Sequence, residues 1–371
     1  LQTARVICYA EGFLNPSIGL DLSDSLKPTI NISPGVQYRW VDLSMGEQEK
    51  LILITQKQDF KNLEGKPVSP KTLSEYMNTL LVYFENSGFP FASVRLDSVS
   101  VKEGAISATL VSTPGPEITI DSVSIIGTAK ISDKYISNYI RIKKGSFYNE
   151  QRLREIPKRM DELAFVSQPK PSEILFTDKS TTLVIPLNKE KANDFNGVLG
   201  FQPDANTGEL VITGDVHLKL LSALGKGEGF ELRWRRLQTQ TQDIGLAMNL
   251  PFLLNTPLGF DGSFRIYRRD TIFSTITAKA GIQYALTGGD FFEVNVTSEN
   301  SNIISTQPYE GSSTLPDVAD VSYLHYGITF KSSRLDYKLN PRRGFSFLAS
   351  GGVGEKTIRE NPALEEVNYD S

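Results

Sequence analysis

Two different hydrophobic patterns divide the chain. Up to about residue 190, apolar residues recur at the three-to-four-residue spacing of amphipathic helices, between short extended segments. From Asn196 onward this spacing disappears, and apolar and polar residues alternate in runs of about ten. The sequence therefore predicts a mixed α and β front half and an all-β back half.

The clearest helix of the front half follows the start signal Ser69-Pro70. Its apolar face consists of residues three or four apart: Leu73, Tyr76, Met77, Leu80, Leu81 and Phe84. Gly88 is predicted to end this helix at the C′ position. Extended segments at 93–101 and 105–112 follow, and an extended run at 36–43 with a second helical stretch precedes them. The predicted order is β-α-α-β-β.

This unit repeats along the chain. Segments 12–21 and 88–97, which are 76 residues apart, share Gly, Phe, Ser, Leu and Asp at equivalent positions. A third, degenerate copy from Phe165 to Phe176 lacks the glycine. The unit around this copy is predicted to contain a strand from Ile118, helices over 132–140 and 149–164, and strands at 173–177 and 181–187. Pro157 removes an amide donor inside the longer helix and should kink or shorten it.

The back half alternates strictly, and about eight strands are predicted, the first of them at 197–201. One face of these strands is apolar and the other is polar. The polar face carries the charges Glu231, Arg233, Arg235, Arg265 and Lys279. We expect these side chains to be solvated or paired with one another, the alternative being that they guide a polar client segment.

The connections in the back half favour a transmembrane β-barrel. Short turns such as 225–229 and 286–290 alternate with a long polar loop at 298–320, and aromatic residues lie near strand ends. A soluble β-sandwich would show the same alternation, and it stays open as the alternative.

Composition excludes several classes of function. The chain of 371 residues is 39% hydrophobic and 22% charged with a net charge of -4, and it lacks a basic patch for nucleic acid. The single cysteine, Cys8, cannot form an internal disulfide, and with His217 and His325 it cannot build a zinc cage. No apolar stretch approaches the 18 residues that predict a membrane-spanning helix. We expect no metal and no cofactor.

The remaining chemistry-like motifs are predicted to be turns. Gly225-x-Gly227-x-Gly229 lies between alternating strands rather than before a helix, as a phosphate-binding loop would require. Asp204-x-Asn206-x-Gly208-Glu209 lacks the distal bidentate glutamate of a calcium loop. His217 lies within an alternating strand and is more consistent with a lumen lining than with a catalytic base. The chain is therefore not expected to be an enzyme.

The front-half units, with their Gly-Phe signature, resemble POTRA domains. POTRA-like repeats that run directly into barrel strands resemble the BamA/TamA family of outer-membrane assembly and translocation proteins. Three segments carry the barrel resemblance: 196–203 is similar to the first strand, 224–236 to the first tight turn with its following strand, and the motif of Asp336, Pro341 and Gly344 to the start of a mid-barrel strand. The TamA-like arrangement of about three POTRA units is preferred.

The resemblance implies a fold class and domain limits. The fold would be α+β POTRA repeats (β-α-α-β-β) followed by antiparallel transmembrane β-barrel strands, about half of a sixteen-stranded barrel. The predicted domains are the C-terminal part of a POTRA domain at 1–32, a POTRA domain at 33–115, a barrel-proximal POTRA domain at 116–192 and the N-terminal half of the barrel at 193–371. We expect the chain to be part of a longer protein.

The resemblance also implies a function. The protein would lie in the outer membrane of a Gram-negative bacterium with its POTRA domains in the periplasm. It would insert or export unfolded β-rich clients by strand addition and through a lateral seam at Gly197, Val198, Leu199, Gly200 and Phe201. Its other expected partners are outer-membrane lipid and a periplasmic, lipoprotein or inner-membrane component. The alternatives are a two-partner secretion pore, the barrel anchor of a fused lipase and a soluble β-sandwich binding protein.

Overall fold

The structure, a computed structural model, describes residues 1–21, 29–60, 63–203, 208–238, 241–269, 272–305, 320–335 and 341–359. The chain forms two compact units: Leu1–Ile120 with Gly145–Arg154, and Asp121–Lys144 with Glu155–Ser371. Within the described ranges, no helix is long and apolar enough to cross a membrane.

The first unit contains one complete copy of the predicted repeat. Helix α1 (Gln2–Ala10) and the antiparallel hairpin of β1 (Ser17–Asp21) and β2 (Thr29–Ser33) come first. The complete copy follows, with β3 (Arg39–Met45), α2 (Glu47–Thr55), α3 (Pro70–Glu85), β4 (Ser93–Lys102) and β5 (Ala105–Thr113). Strand β5 lies between β3, which is parallel to it, and β4, which is antiparallel. The observed order is the predicted β-α-α-β-β.

Helix α3 forms because its start is capped and one of its faces is apolar. Ser69 Oγ accepts the backbone N–H of Thr72 at 3.4 Å, and Pro70 takes the first helical position. The apolar face packs with α2 and the sheet into a core of Met45, Ile52, Leu53, Tyr76, Leu80, Phe84 and Leu110. Burial of each such side chain contributes about 1.5–3 kcal/mol, which far exceeds the capping contribution.

The predicted position of Gly88 was wrong by one residue. The C-cap of α3 is Asn86, so Gly88 lies at C″ rather than at C′. Asn86 keeps a right-handed helical conformation, and the amide of Ser87 donates to Phe84 O at 2.9 Å. The left-handed backbone, φ +102°, is therefore needed only at Gly88, where the chain leaves the helix.

A second copy of the repeat lies between residues 119 and 189. Its elements in chain order are β6 (Thr119–Ile120), β7 (Ser122–Ile126), α4 (Asp133–Ile140), β8 (Ser146–Phe147), α5 (Glu150–Asp161), β9 (Val166–Ser167), β10 (Glu173–Phe176), β11 (Thr181–Pro186) and β12 (Asn188–Lys189). Strand β11 lies between parallel β7 and antiparallel β10, as β5 lies between β3 and β4. The arrangement of the sheet is therefore the same in both copies.

Helix α5 is shorter than predicted. It continues through Pro157 and ends at Asp161, three residues before the expected end at Ala164. The missing amide of Pro157 weakens this last part of the helix, because one backbone hydrogen bond is lost there. The chain leaves the helix in a turn in which the amide of Leu163 donates to Met160 O at 3.0 Å.

The Gly-Phe signature joins each copy to the segment that follows it. Gly12 O accepts the amide of Tyr38 at 2.8 Å, and Gly88 O accepts the amide of Ile118 at 2.8 Å. In the degenerate copy, Phe165 O accepts the amide of Glu190 at 3.0 Å, and β9 pairs with β12. We call these three contacts the repeat joints.

Within the described residues, the back half is one antiparallel sheet of nine strands in sequence order, against about eight predicted. The strands are β13 (Asp194–Pro203), β14 (Leu210–Leu221), β15 (Gly229–Gln238), β16 (Thr241–Leu250), β17 (Leu258–Arg269), β18 (Phe273–Ala285), β19 (Phe291–Ile303), β20 (Val321–Leu335) and β21 (Gly344–Ile358). The alternative of a β-sandwich is wrong, because a sandwich divides its strands between two sheets and these nine form a single sheet.

The repeat joint at Gly12 can be tested with a matched pair of glycines in the first unit. Gly12 (φ +82°) and Gly145 (φ +81°) have nearly the same backbone, but a Cβ at Gly12 would lie 2.6 Å from Tyr38 O, whereas Gly145 faces open space. We expect Gly145→Ala to cost about 1–2 kcal/mol of backbone strain, and Gly12→Ala about 1–3 kcal/mol more because of the overlap.

Denaturant unfolding of the full chain measures both costs. Trp40 is buried in the first unit and serves as the fluorescent reporter once Trp234 is replaced by Phe. Equal losses for the two alanine variants would contradict a close approach of the chain at this joint.

Candidate functional site

The nine-stranded sheet has one apolar and one charged face. Cross-strand pairing aligns apolar residues in rows, such as the row of Leu218, Leu232, Leu246, Phe264 and Ala278 across five neighbouring strands. Leu246 is 49% exposed and Phe264 39% exposed. Apolar side chains that stay this exposed on a continuous face need an apolar environment, since monomeric soluble proteins rarely leave so large an apolar surface in water.

The five predicted charges lie together on the opposite face, and each has an oppositely charged partner. Glu231 Oε1 lies 3.0 Å from His217 Nε2 and 3.2 Å from Arg233 Nη2. Arg235 and Arg265 pair with Asp215 and Asp243, both at 2.7 Å. Lys279 Nζ lies 3.1 Å from Asp261 Oδ1 and 2.7 Å from Glu293 Oε1. This pairing favours the prediction of a mutually neutralised face.

Glu293 is a nearly fully buried acid of this face that sequence reasoning did not single out. It is 2% exposed, and beside Lys279 it accepts hydrogen bonds from Gln283 at 2.8 Å and Asn295 at 2.9 Å. Its side chain fits there because Gly281 leaves room: a Cβ on that glycine would lie 3.2 Å from the carboxylate. The sequence signal for this site was Gly281, a glycine on the polar face between the long side chains of Lys279 and Gln283.

Strand β13 contains the predicted seam residues. It pairs with β14 in a regular register, in which Gly197 is opposite Val216 and Phe201 is opposite Ile212. The described strands provide no partner for its other edge. Val198 is 74% exposed and Phe201 73% exposed, which is consistent with the end position of this strand.

The motif predicted to start a mid-barrel strand lies only partly within the described residues. Asp336 lies outside them. Pro341 precedes β21, and Gly344 opens it opposite Leu335 of β20. Gly344 has φ +116°, and the backbone of Arg334 leaves no space for a Cβ there. The glycine of the motif is therefore required by close strand pairing.

Helix α4 holds three hairpin turns of the sheet through residues at intervals of three. The amide of Ser132 donates to Gly225 O at 2.7 Å, and the ring of Tyr135 packs at the second turn, 5.6 Å from that of Phe252. The four residues that make these contacts are the two caps, Ser132 and Arg141, and the helix residues Tyr135 and Asn138. Asn138 Nδ2 donates to Asn255 Oδ1 at 2.7 Å, and Arg141 Nη2 donates to Ala285 O at 3.0 Å. We call this row the docking face.

The first of these turns is internally fixed by a buried carboxylate. Glu228 is 2% exposed, and its side chain accepts the amides of Leu224 and Lys226, the latter at 2.9 Å. Tyr135 lies against this turn, and a Cβ on Gly227 would lie inside its ring. Burial, together with the charge of Glu228, raises the pKa of Tyr135, which therefore remains a neutral phenol.

The sequence predicted the turn at 225–229 correctly but gave no indication that a helix docks on it. Tyr135 and Asn138 appear in the sequence only as helix residues, and their partners lie about a hundred residues away in the chain. No group of three or more His, Cys, Asp or Glu side chains in the described part of the chain is arranged to hold a metal ion.

Comparison with known proteins supports this description of the fold. Residues 118–185 match the family described as POTRA, surface antigen variable number repeat. BamA from Haemophilus ducreyi lacking POTRA domains 1–3 is similar in structure, with 13% identity and a TM-score of 0.50, over 86% of this chain and 64% of that one. CdiB from Acinetobacter baumannii is similar, with 12% identity and a TM-score of 0.50, over 87% of this chain and 62% of that one.

The chain thus has the predicted fold, POTRA repeats followed by an antiparallel sheet that corresponds to barrel strands. It spans less than two thirds of the length of either similar structure. A search of curated proteins found none that matches the chain.

The docking face can be tested at Gly227, for which Gly208 is a matched control. Both have φ +72°, but Gly208 has no atom near its Cβ position, whereas Gly227 faces the ring of Tyr135. We expect Gly208→Ala to lower the free energy of unfolding by about 1–2 kcal/mol, because of backbone strain. Gly227→Ala should lower it by about 1–3 kcal/mol more, because the new Cβ overlaps the ring. The measurement is the unfolding midpoint of the full chain in detergent.

A double-mutant cycle distinguishes contact from strain. In a Tyr135→Ala background, Gly227→Ala should cost no more than Gly208→Ala does, because the ring that it overlaps is gone. If the cost of Gly227→Ala is unchanged by Tyr135→Ala, the two residues are not in contact.

Proposed function

We propose that this chain is part of an outer-membrane protein of the BamA/TamA type that assembles or exports β-rich clients, with its POTRA repeats in the periplasm. The observation that carries the proposal is the joining of a POTRA repeat to a nine-stranded sheet with one apolar and one neutralised polar face. Neither half alone would indicate this function, because each fold occurs with others.

The strand lengths support a position in a bilayer. A transmembrane strand tilted by about 45° needs about 9–11 residues to cross the hydrocarbon. The nine strands have 10 to 15 residues each. Lipid would solvate the apolar face, and the paired charges would face a lumen. Charges that face a lumen avoid contact with hydrocarbon, where a charged side chain is costly.

Client binding is supported by the outer strands of the repeat sheets. Extended segments add to an exposed sheet edge through backbone hydrogen bonds that are largely independent of sequence. In the second repeat, β10 is the outer strand of its sheet among the described strands, and Leu175 is 52% exposed there. An edge of this kind suits a protein that receives many unfolded β-rich clients.

The seam proposal rests on β13. Gly197 and Gly200 contribute no side-chain packing, so this strand should pair weakly with a closing strand of the full-length protein. A weak final pairing lets the barrel open between these strands and offers its edge as a template. Secretion of the two-partner type is the second candidate, because the likeness to CdiB is as strong as that to BamA.

The proposed location predicts the cell fraction in which the protein is recovered. The full-length protein should sediment with the outer membrane and be released by detergent. Leu246→Arg, on the apolar face, should make the free energy of membrane insertion about 2–4 kcal/mol less favourable. Ala247→Arg, on the opposite face, should change it little. Recovery of the unmodified protein in the soluble fraction, or equal effects of the two substitutions, would overturn the location.

The seam is tested by locking it. In a Cys8→Ser background, cysteines at Val198 and in the closing strand of the full-length protein should form a disulfide and stop client insertion, with recovery after reduction. The matched control joins Val198→Cys to Asp215→Cys, because these residues already face each other in the β13–β14 pair. Unimpaired insertion with the seam oxidised would reject lateral opening.

A further inference from the structure

The turn between β18 and β19, residues 286–290, is held from two sides by different parts of the second unit. On one side lie the helices α4 and α5, and on the other lies the end of β20. Neither the repeat signature nor the alternation of the strands predicts this arrangement.

Asp290 makes the contacts on the strand side. It is 5% exposed and accepts three hydrogen bonds from consecutive residues: Ser332 Oγ at 3.1 Å, the amide of Ser333 at 2.8 Å and Arg334 Nη1 at 2.6 Å. A buried carboxylate with one charged and two neutral donors is well compensated, and the bond from the Arg334 guanidinium is the strongest of the three.

The helix side of the turn contacts a second ionic group. Glu162 accepts hydrogen bonds from Arg159 Nη1 at 2.9 Å and Tyr139 Oη at 2.8 Å. Gly288 lies directly on this group, since a Cβ there would be 2.8 Å from Glu162 Oε2 and would overlap the guanidinium of Arg159. Arg141 of the docking face fixes the start of the turn through Ala285 O.

The end of β20 fixed by Asp290 pairs with the beginning of β21. Ser332, Arg334 and Leu335 are opposite Phe347, Phe345 and Gly344, respectively. A continuous series of direct contacts thus runs from helices α4 and α5 through the turn and β20 to the glycine that opens β21. Each contact is a hydrogen bond, an ion pair or backbone in close contact.

We propose that Asp290 is a positioning residue that couples docking of the POTRA helices to the start of strand β21. The turn can satisfy both sides only in one position, so loosening it at Asp290 should also loosen the helices that rest on Gly288. The coupling does not depend on which client the protein handles, and its failure would leave the proposed function untouched.

Hydrogen exchange of the full chain in detergent tests the coupling. Asp290→Asn keeps the size of the side chain but loses the charge that holds Arg334. We expect amide exchange to rise about tenfold at 332–335 and also at 159–165. The control is Asp261→Asn, which loses an ion pair with Lys279 in the same sheet, at a distance of 3.1 Å, and is not among the contacts of the turn described above. That variant should leave both segments unchanged.

Two outcomes would overturn the proposal. A rise confined to 332–335 would make Asp290 a local clamp of one strand, and equal rises in the Asp261→Asn control would indicate general destabilisation. Arg334→Gln should reproduce the effect of Asp290→Asn at 159–165, and the double variant should add nothing further, because both act through one contact. If Asp290→Asn does not fold, Ser332→Ala removes a single donor and should give a smaller effect in the same two segments.

Discussion

Backbone pairing between neighbouring strands is the constraint on which the rest of the sheet depends. Side chains alternate between faces, so a shift of one residue in any strand would exchange its apolar and charged faces. The observed registers bring Leu232 opposite Leu218 on one face and Arg235 opposite Asp215 on the other. The ion pairs of the charged face therefore follow from the same pairing that creates the apolar face.

The sequence predicts those features that depend on local periodicity. Both copies of the repeat, helix α3 with its Ser69 cap and the two faces of the back half are confirmed. The errors occur at ends, where periodicity carries no information: Gly88 lies one position later than predicted, and α5 ends at Asp161. Each of these helix ends depends on the backbone conformation of a few residues, which the spacing of apolar residues does not specify.

The docking face and Glu293 could not be predicted, for a different physical reason. Each depends on residues that become neighbours only after the sheet has formed. Asn138 is an ordinary helix residue until Asn255 lies 2.7 Å away, and Glu293 resembles any other charge of the polar face. What identifies Glu293 is its near-complete burial beside a glycine, and burial is not encoded by alternation alone.

The three repeat joints show how loss of the signature glycine changes the connection. At Gly12 and Gly88 a left-handed residue turns the chain, and its carbonyl accepts one amide from the next segment. At the third joint Ala164 replaces the glycine, and the chain stays extended long enough for β9 to pair with β12. The degenerate copy therefore joins the next segment through two paired strands rather than through a glycine turn, and the chemistry of the joint follows from the loss of a single residue type.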